Sequence, residues 1–196
     1  QVAGSANFAG NLKGFIWDVR YSGKMAHAYQ NKYDGYVFNS GFRENTLSGI
    51  IGFNKSWGYS HLHFSAYHLQ PGIVEGERDS ASGAFIKPAV VDGEEGSIIA
   101  TDDDFKSYKP LTPYQQIHHY KLVLNNNFIL KKGTIKAILG WQQNQRQEYA
   151  DILEEGKYGL YFLLNTLNYD LRYNLPEKNN LDLSVGVNGM YQQSQN

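Results

Sequence analysis

Apolar and polar residues alternate one for one along eight segments of this chain, each about ten residues long, the length of a strand that crosses a bilayer at a tilt. The second segment is the cleanest: Phe15, Trp17, Val19 and Tyr21 share one face, and Asp18, Arg20, Ser22 and Lys24 share the other. A period of two places successive side chains on opposite faces of a strand, so each segment predicts a β-strand with one apolar and one wet face. The first, from Val2 to about Asn11, sets Gly4, Ala6 and Phe8 against Ser5 and Asn7. The third opposes Leu47, Ile51 and Phe53 to Ser48, Gly52 and Asn54; the fourth opposes Leu62, Phe64 and Ala66 to His61, His63 and Ser65. Tyr120, Leu122 and Leu124 face away from Lys121, Asn125 and Asn127 in the fifth, and Ile135, Ala137, Leu139 and Trp141 from Thr134, Lys136, Gly140 and Gln142 in the sixth. The seventh sets Tyr161, Leu163, Leu167, Tyr169, Leu171 and Tyr173 against Thr166, Asn168, Asp170 and Arg172; the eighth sets Leu181, Leu183, Val185 and Val187 against Asp182, Ser184, Gly186 and Asn188.

The links between segments alternate in length. Short polar turns fall near 10–14, 55–60, 130–134 and 175–180, and longer connections follow the second, fourth and sixth segments, the longest between Pro71 and Pro113. Hairpin-length links predict antiparallel pairing in chain order. Together these features predict an all-β, antiparallel up-and-down meander of about eight strands, a barrel or a piece of one, filling residues 1–196 as a single β-barrel segment. Residues 142–155 admit a helical reading but merge with the sixth strand.

Alternation does not say which face points inward. A soluble lipocalin-type barrel turns its apolar face in, around a ligand; a membrane barrel turns it out, toward lipid. Three features favour the membrane. The connections are long on one rim and short on the other. The polar face is rich in Asn, Gln, Ser, Thr and Gly rather than the Lys/Glu mixture of a solvated surface. Aromatics gather near strand ends, as with Phe15 and Trp17, Trp57 and Tyr59, Tyr173 and Tyr191.

Composition narrows the function classes. Charged residues are 19% of the 196, aromatics 14% with 15 Tyr and 10 Phe, and the formal net charge is −1, so nothing points to nucleic acid. The chain has no cysteine, which excludes disulfides and thiolate chemistry. No apolar run reaches the length of a spanning helix. There is no leader-like opening, and the start at Gln1 directly into strand-like sequence suggests an excised or mature piece.

Several stretches carry a family resemblance. Lys13-Gly14-Phe15-Ile16-Trp17-Asp18-Val19-Arg20-Tyr21-Ser22 resembles a barrel hairpin of TonB-dependent outer-membrane receptors, as do Ser56-Trp57-Gly58 and Leu69-Gln70-Pro71-Gly72-Ile73-Val74-Glu75-Gly76. Pro113-Tyr114-Gln115-Gln116-Ile117-His118-His119-Tyr120-Lys121 and Val187-Asn188-Gly189-Met190-Tyr191 are similar to such receptors too. The resemblance implies a 22-stranded barrel with a plug, in the bacterial outer membrane, that takes up a siderophore, cobalamin, oligosaccharide or peptide with energy from the TonB complex. This chain has neither a plug nor a TonB box, so it resembles an internal fragment of the barrel. The alternative is a complete eight-stranded barrel, either lipocalin-like or a small outer-membrane protein.

Candidate chemistry is sparse. His61 and His63 project from one strand face, with His68, His118 and His119 as prospective neighbours, but no cysteine or positioned carboxylate completes a metal site. Asp102-Asp103-Asp104 lacks the spacing of a calcium loop. Glu75, Glu77, Arg78 and Asp79 read as a charge cluster that folds back on neighbouring loops, and Asp18/Arg20 and Asp170/Arg172 as salt-bridged lumen lining. No nucleophile elbow, phosphate loop or zinc-protease motif occurs, so no catalytic residue, cofactor or metal is expected. Isolated in water, the piece is expected either to curl into a small barrel with the apolar face inward or to self-associate, since bare sheet edges and apolar patches are costly.

Overall fold

The computed structural model describes every residue from 1 to 196 except 155. Its main body is one antiparallel sheet of eight strands in strict chain order: β1 (Val2–Leu12), β2 (Phe15–Ala26), β5 (Phe42–Lys55), β6 (Gly58–Pro71), β9 (Tyr114–Leu130), β10 (Gly133–Tyr149), β11 (Leu160–Asn174) and β12 (Ser184–Gln195). The remaining elements lie in the connections. β3 (Gln30–Asn31) and β4 (Gly35–Tyr36) form one small hairpin, β7 (Ile86–Val91) and β8 (Glu94–Ile99) another, and α1 (Asp102–Lys106) is a single helical turn.

The meander follows the alternation, and most strands outrun it. β9 begins at Tyr114 and β10 continues to Tyr149, so the stretch that admitted a helical reading is strand up to that point. The last strand starts later than expected, at Ser184: Asn179 and Asn180 take positive φ (54° and 60°) in a tight turn closed by Lys178 and Leu181, which withdraws Leu181 and Leu183 from the sheet. The helical turn α1 has no counterpart in the sequence reading, because one turn is too short to show a helical period.

Turn chemistry fixes the register. Lys13 and Gly14 both have positive φ (49° and 86°), the geometry whose twist matches that of paired strands. The three tight hairpins of the eight-stranded sheet close at Leu12↔Phe15, Lys55↔Gly58 and Leu130↔Gly133. Phe15 lies opposite Phe53, two residues short of Lys55, and Gly58 lies opposite Phe128, two residues short of Leu130. Each hairpin therefore reaches two residues beyond the last, a stagger of one residue per strand. With a rise of about 3.3 Å and a strand spacing of about 4.8 Å, turn tips held in one plane tilt the strands by about 35°, the lower end of the membrane-barrel range.

The register also sorts the faces. Four successive cross-strand rows on one face hold no charged residue across all eight strands. One row runs Gly10, Trp17, Ile51, Leu62, Leu124, Leu139, Tyr169, Gly189; the next runs Phe8, Val19, Gly49, Phe64, Leu122, Trp141, Leu167, Tyr191. Glycines in these rows sit under the ring directly across from them. A Cβ at Gly10 would meet the Trp17 indole at 2.2 Å, one at Gly49 the Phe64 ring at 2.8 Å, and one at Gly189 the Tyr169 ring at 2.6 Å. The rings lie flat along the sheet instead of standing off it, as in aromatic covering of strand glycines. Polar members of the band satisfy each other and the backbone: Ser60 Oγ donates to Asn126 Oδ1 (2.6 Å), Asn126 Nδ2 donates to the Ala137 carbonyl (3.3 Å), and toward the loops Gln143 Nε2 donates to Asn165 Oδ1 (2.9 Å).

The sheet is open, with β1 and β12 as its edges. The expected curling with the apolar face inward does not occur: Leu139, Leu167 and Val185 are 53%, 48% and 65% exposed. The stagger and the flat-lying rings hold the strands in a broad sheet whose apolar side has nothing to pack against within the chain. The buried hydrophobic cluster of the protein lies instead in the connections, where Val37, Phe38, Phe85 and Ala100 meet, with Phe105 and Leu111 against them.

The glycine–ring pairs give a test. Gly49→Val places branched carbons where the Phe64 ring and the Asp18 carbonyl already sit, and overpacking of that kind costs about 1–3 kcal/mol. Gly49→Val combined with Phe64→Ala is expected to recover only the ring's share of that loss in a detergent-refolding titration, the clash with the Asp18 carbonyl remaining, whereas a simple loss of chain flexibility would not be rescued at all.

Candidate functional site

Two surfaces carry the protein's polar chemistry: the charged face of the sheet and the cap built from the long connections. Residues opposite the apolar band supply the charges of the first: Asp18, Arg20, Lys121, Lys136, Asp170 and Arg172, with His61, His63, His119, Gln142 and Asn144 among them. Arg172 and Asp170 pair at 3.7 Å, as the sequence suggested, but Asp18 and Arg20 do not. Asp18 accepts from Asn7 Nδ2 at 2.6 Å instead, because Asn7 reaches across from the neighbouring edge strand while Arg20 stands two residues along.

The histidines divide between the faces. His61 and His63 lie on the polar face with their rings 6.4 Å apart, His61 stacked on Tyr59 at 4.5 Å and bonded through Nε2 to Asn54 Oδ1 at 2.8 Å. Tyr59 thus belongs to the polar face, not to an aromatic rim. His119 shares that face and bonds Asn144 at 3.3 Å. His68 and His118 pair directly across β6 and β9 on the apolar face, their rings stacked at 4.3 Å. The sheet therefore separates these five of the six histidines, and among the described residues no group of three metal-binding side chains comes together.

The cap joins the β2–β5 and β6–β9 connections around Asn39, which is 6% exposed. Its Nδ2 donates to the carbonyls of Pro113 (2.6 Å), Leu111 (2.9 Å) and Ile73 (3.2 Å), and its Oδ1 accepts from the Leu111 amide (3.0 Å). One side chain thus ties the first connection to both ends of the second. Asn39 has φ 56°, a conformation asparagine tolerates better than most residues. Gly72 permits the approach, since a Cβ there would stand 2.1 Å from the Asn39 carbonyl oxygen.

The loop charges are engaged in folding. Arg78 pairs with Asp34 at 2.6 Å, donates to the Gly83 carbonyl at 2.8 Å and lies 3.8 Å over the Phe85 ring. Asp79 accepts from the Ser82 amide and hydroxyl (2.7 and 2.6 Å), and these bonds hold its pKa below the usual value. Asp104 accepts from the Thr101 amide and hydroxyl (both 2.8 Å) and pairs with Lys87 at 2.6 Å, while Asp102 pairs with Lys106 at 3.0 Å. The acidic run is therefore the first turn of α1 and its cap. Burial works against the Asp104 carboxylate, but the Lys87 and Thr101 bonds outweigh it and lower its pKa. Glu75 is displaced the other way, by burial first and then by the charges of Glu77 and Glu148.

Sequence reasoning missed Asn39 and the loop cluster. The one local signal, Asn39-Ser40-Gly41, reads as an ordinary turn, and the partners lie more than thirty positions away. Among the described residues no helix is long and apolar enough to cross a membrane, which says nothing about strands. In comparisons with known proteins the chain matches no family model, no curated protein and no solved structure.

Two outcomes follow for the cap. Asn39→Gly keeps the positive φ and removes all four side-chain bonds; at about 1 kcal/mol per bond, cap stability should fall by about 2–4 kcal/mol, read as faster amide exchange at Leu111 and Ile73 with the sheet amides unchanged. Asp104 has a folded-state pKa below its unfolded one, so its contribution is complete above the ordinary carboxylate range and is lost as pH falls through the lowered value. Exchange protection around α1 should decline below about pH 4, and Asp104→Asn should flatten that decline.

Proposed function

We propose that this chain is part of the wall of a bacterial outer-membrane β-barrel, of the kind found in TonB-dependent receptors, and serves uptake of a scarce nutrient. The observation that carries the reading is the separation of charge across the sheet. One face has four rows without a charged residue, and the other, at the same height, carries Asp18, Arg20, Lys121 and Asp170. Soluble antiparallel sheets also have two unlike faces, but they bury the apolar one against something. Here lipid is the covering that fits, because the band is both exposed and flanked by rings. Near the turns stand Phe15, Phe53, Trp57 and Phe128, with Phe15 and Phe53 at 5.1 Å and Trp57 and Phe128 at 5.6 Å. Toward the loops stand Tyr21, Tyr120 and the stacked pair Tyr114 and Tyr149 at 4.8 Å. On β9 the band from Phe128 to Tyr120 spans about 27 Å of strand, or roughly 20–22 Å of height at the tilt above, close to the roughly 25 Å of a lipid-facing belt.

In this reading the tight turns face the periplasm and the capped connections face the exterior. The free edges of β1 and β12 continue into further strands, and a plug, the TonB complex and the nutrient are the partners of the assembled receptor. The unpaired edges weigh against the complete eight-stranded barrel, which needs β1 on β12.

Folding into bilayers tests the proposal. Leu139→Arg, near the centre of the band, should cost about 2–4 kcal/mol, and Asn144→Arg, on the polar face, close to none. Brominated lipids should quench Trp141 on the apolar face. Equal tolerance of the two arginines, or an unquenched Trp141, would remove the membrane reading.

A further inference from the structure

We infer that the polar face carries an oxyanion-binding groove whose cationic walls are Arg20 and Lys121. The row that crosses the sheet there reads Asn7, Arg20, Ser48, Ser65, Lys121, Gln142, Thr166, Gln192. It holds neither a carboxylate nor an apolar side chain on any of the eight strands, the composition of a surface built to donate hydrogen bonds. Arg20 and Lys121 are separated by three strand spacings, about 14 Å, with the two serine hydroxyls between them. Both are long enough to lean over the serines from opposite sides.

A hollow of about 400 Å³ opens at this place; Arg20, Ser48, Ser65 and Lys121 line it, together with the Asp18 carboxylate and the apolar Ile50. Gly140, two residues along β10 in the next row of this face, leaves a second hollow of about 530 Å³ on the far side of Lys121. Among the described residues neither Arg20 nor Lys121 holds an ion pair, although the carboxylate of Asp18 is close at hand. Asp18 is turned to Asn7, so the groove keeps two uncommitted cations. On the same face Arg172 is committed to Asp170, and the cationic groups of the cap that form pairs are spent on Asp34, Asp104 and Asp102.

A guanidinium offers paired donors in a plane that matches a carboxylate or phosphate, an ammonium adds charge, and serine hydroxyls complete the shell. The ligand class is therefore a solute bearing phosphate or carboxylate groups. This deepens the reading of the polar face as the wall of a passage, and its test is independent of membrane insertion.

The full chain, folded in detergent micelles, is titrated calorimetrically with inorganic phosphate and, separately, with citrate at fixed ionic strength. Saturable binding of one or both is expected; preference for phosphate or for citrate identifies which oxyanion the groove takes. Arg20→Gln with Lys121→Gln should weaken it at least tenfold, Lys121→Arg should retain it, and Lys136→Gln and Arg172→Gln should leave it unchanged. Circular dichroism confirms that each variant keeps its strand content. An unaltered affinity in the double variant, an equal loss in Lys136→Gln, or no saturable binding of either anion overturns the inference. Binding lost with bilayer insertion intact removes the groove alone; insertion lost with binding intact removes the membrane reading alone.

Discussion

Everything in this fold depends on one constraint: eight strands keep an unbroken two-residue alternation in a register without a slip. A shift of one residue in any hairpin would move that strand's whole apolar set to the charged face. The turns prevent it. Lys13 and Gly14 hold the first hairpin in a twist only positive φ allows, and Gly58 has its own neighbour constraint, since a Cβ there would strike the Asn127 carbonyl oxygen at 1.8 Å. With the register fixed, the apolar band, its aromatic margins and the charged rows opposite follow without further instruction.

The energetics are divided in an uncommon way. In a soluble domain the sheet supplies the core and the loops hang from it. Here the sheet holds little that is buried, and the buried hydrophobic cluster sits in the connections, where Val37 and Phe38 from one meet Phe85 and Ala100 from the other. Hydrophobic burial within the chain is concentrated between the loops, while the apolar sheet face stays exposed. Asn39 belongs to the loops, and it stabilises the cap through polar bonds while itself largely buried.

The polar face combines two kinds of charge. Some groups are neutralised in place, as Arg172 is by Asp170. Others, Arg20 and Lys121, lie beside a hollow in the row of Ser48 and Ser65 and hold no ion pair among the described residues, with Asp18 turned to Asn7. Charges held without partners on a wall otherwise rich in amide and hydroxyl groups are the part of this surface best suited to act on a solute.

The sequence by itself determined the strands, their order and the two faces, because alternation and turn residues act over a few positions and leave a direct mark. Phe15 through Lys24 could be assigned to faces from spacing alone, and the eight long strands pair in chain order as those spacings require, although the small hairpins β3–β4 and β7–β8 in the connections left no such mark. It also marked His61 and His63 as neighbours on one face. It did not determine that His68 stacks on His118 across two strands, that Asp18 turns from Arg20 to Asn7, or that the run Asp102-Asp103-Asp104 is a helix cap. Nor did it show Asn39 as the tie between two distant connections, or the sheet left open with its apolar face bare. Those features rest on contacts between residues far apart in the chain, whose partners are chosen by register, loop closure and the room left by a missing Cβ. Only the assembled structure sets those three together.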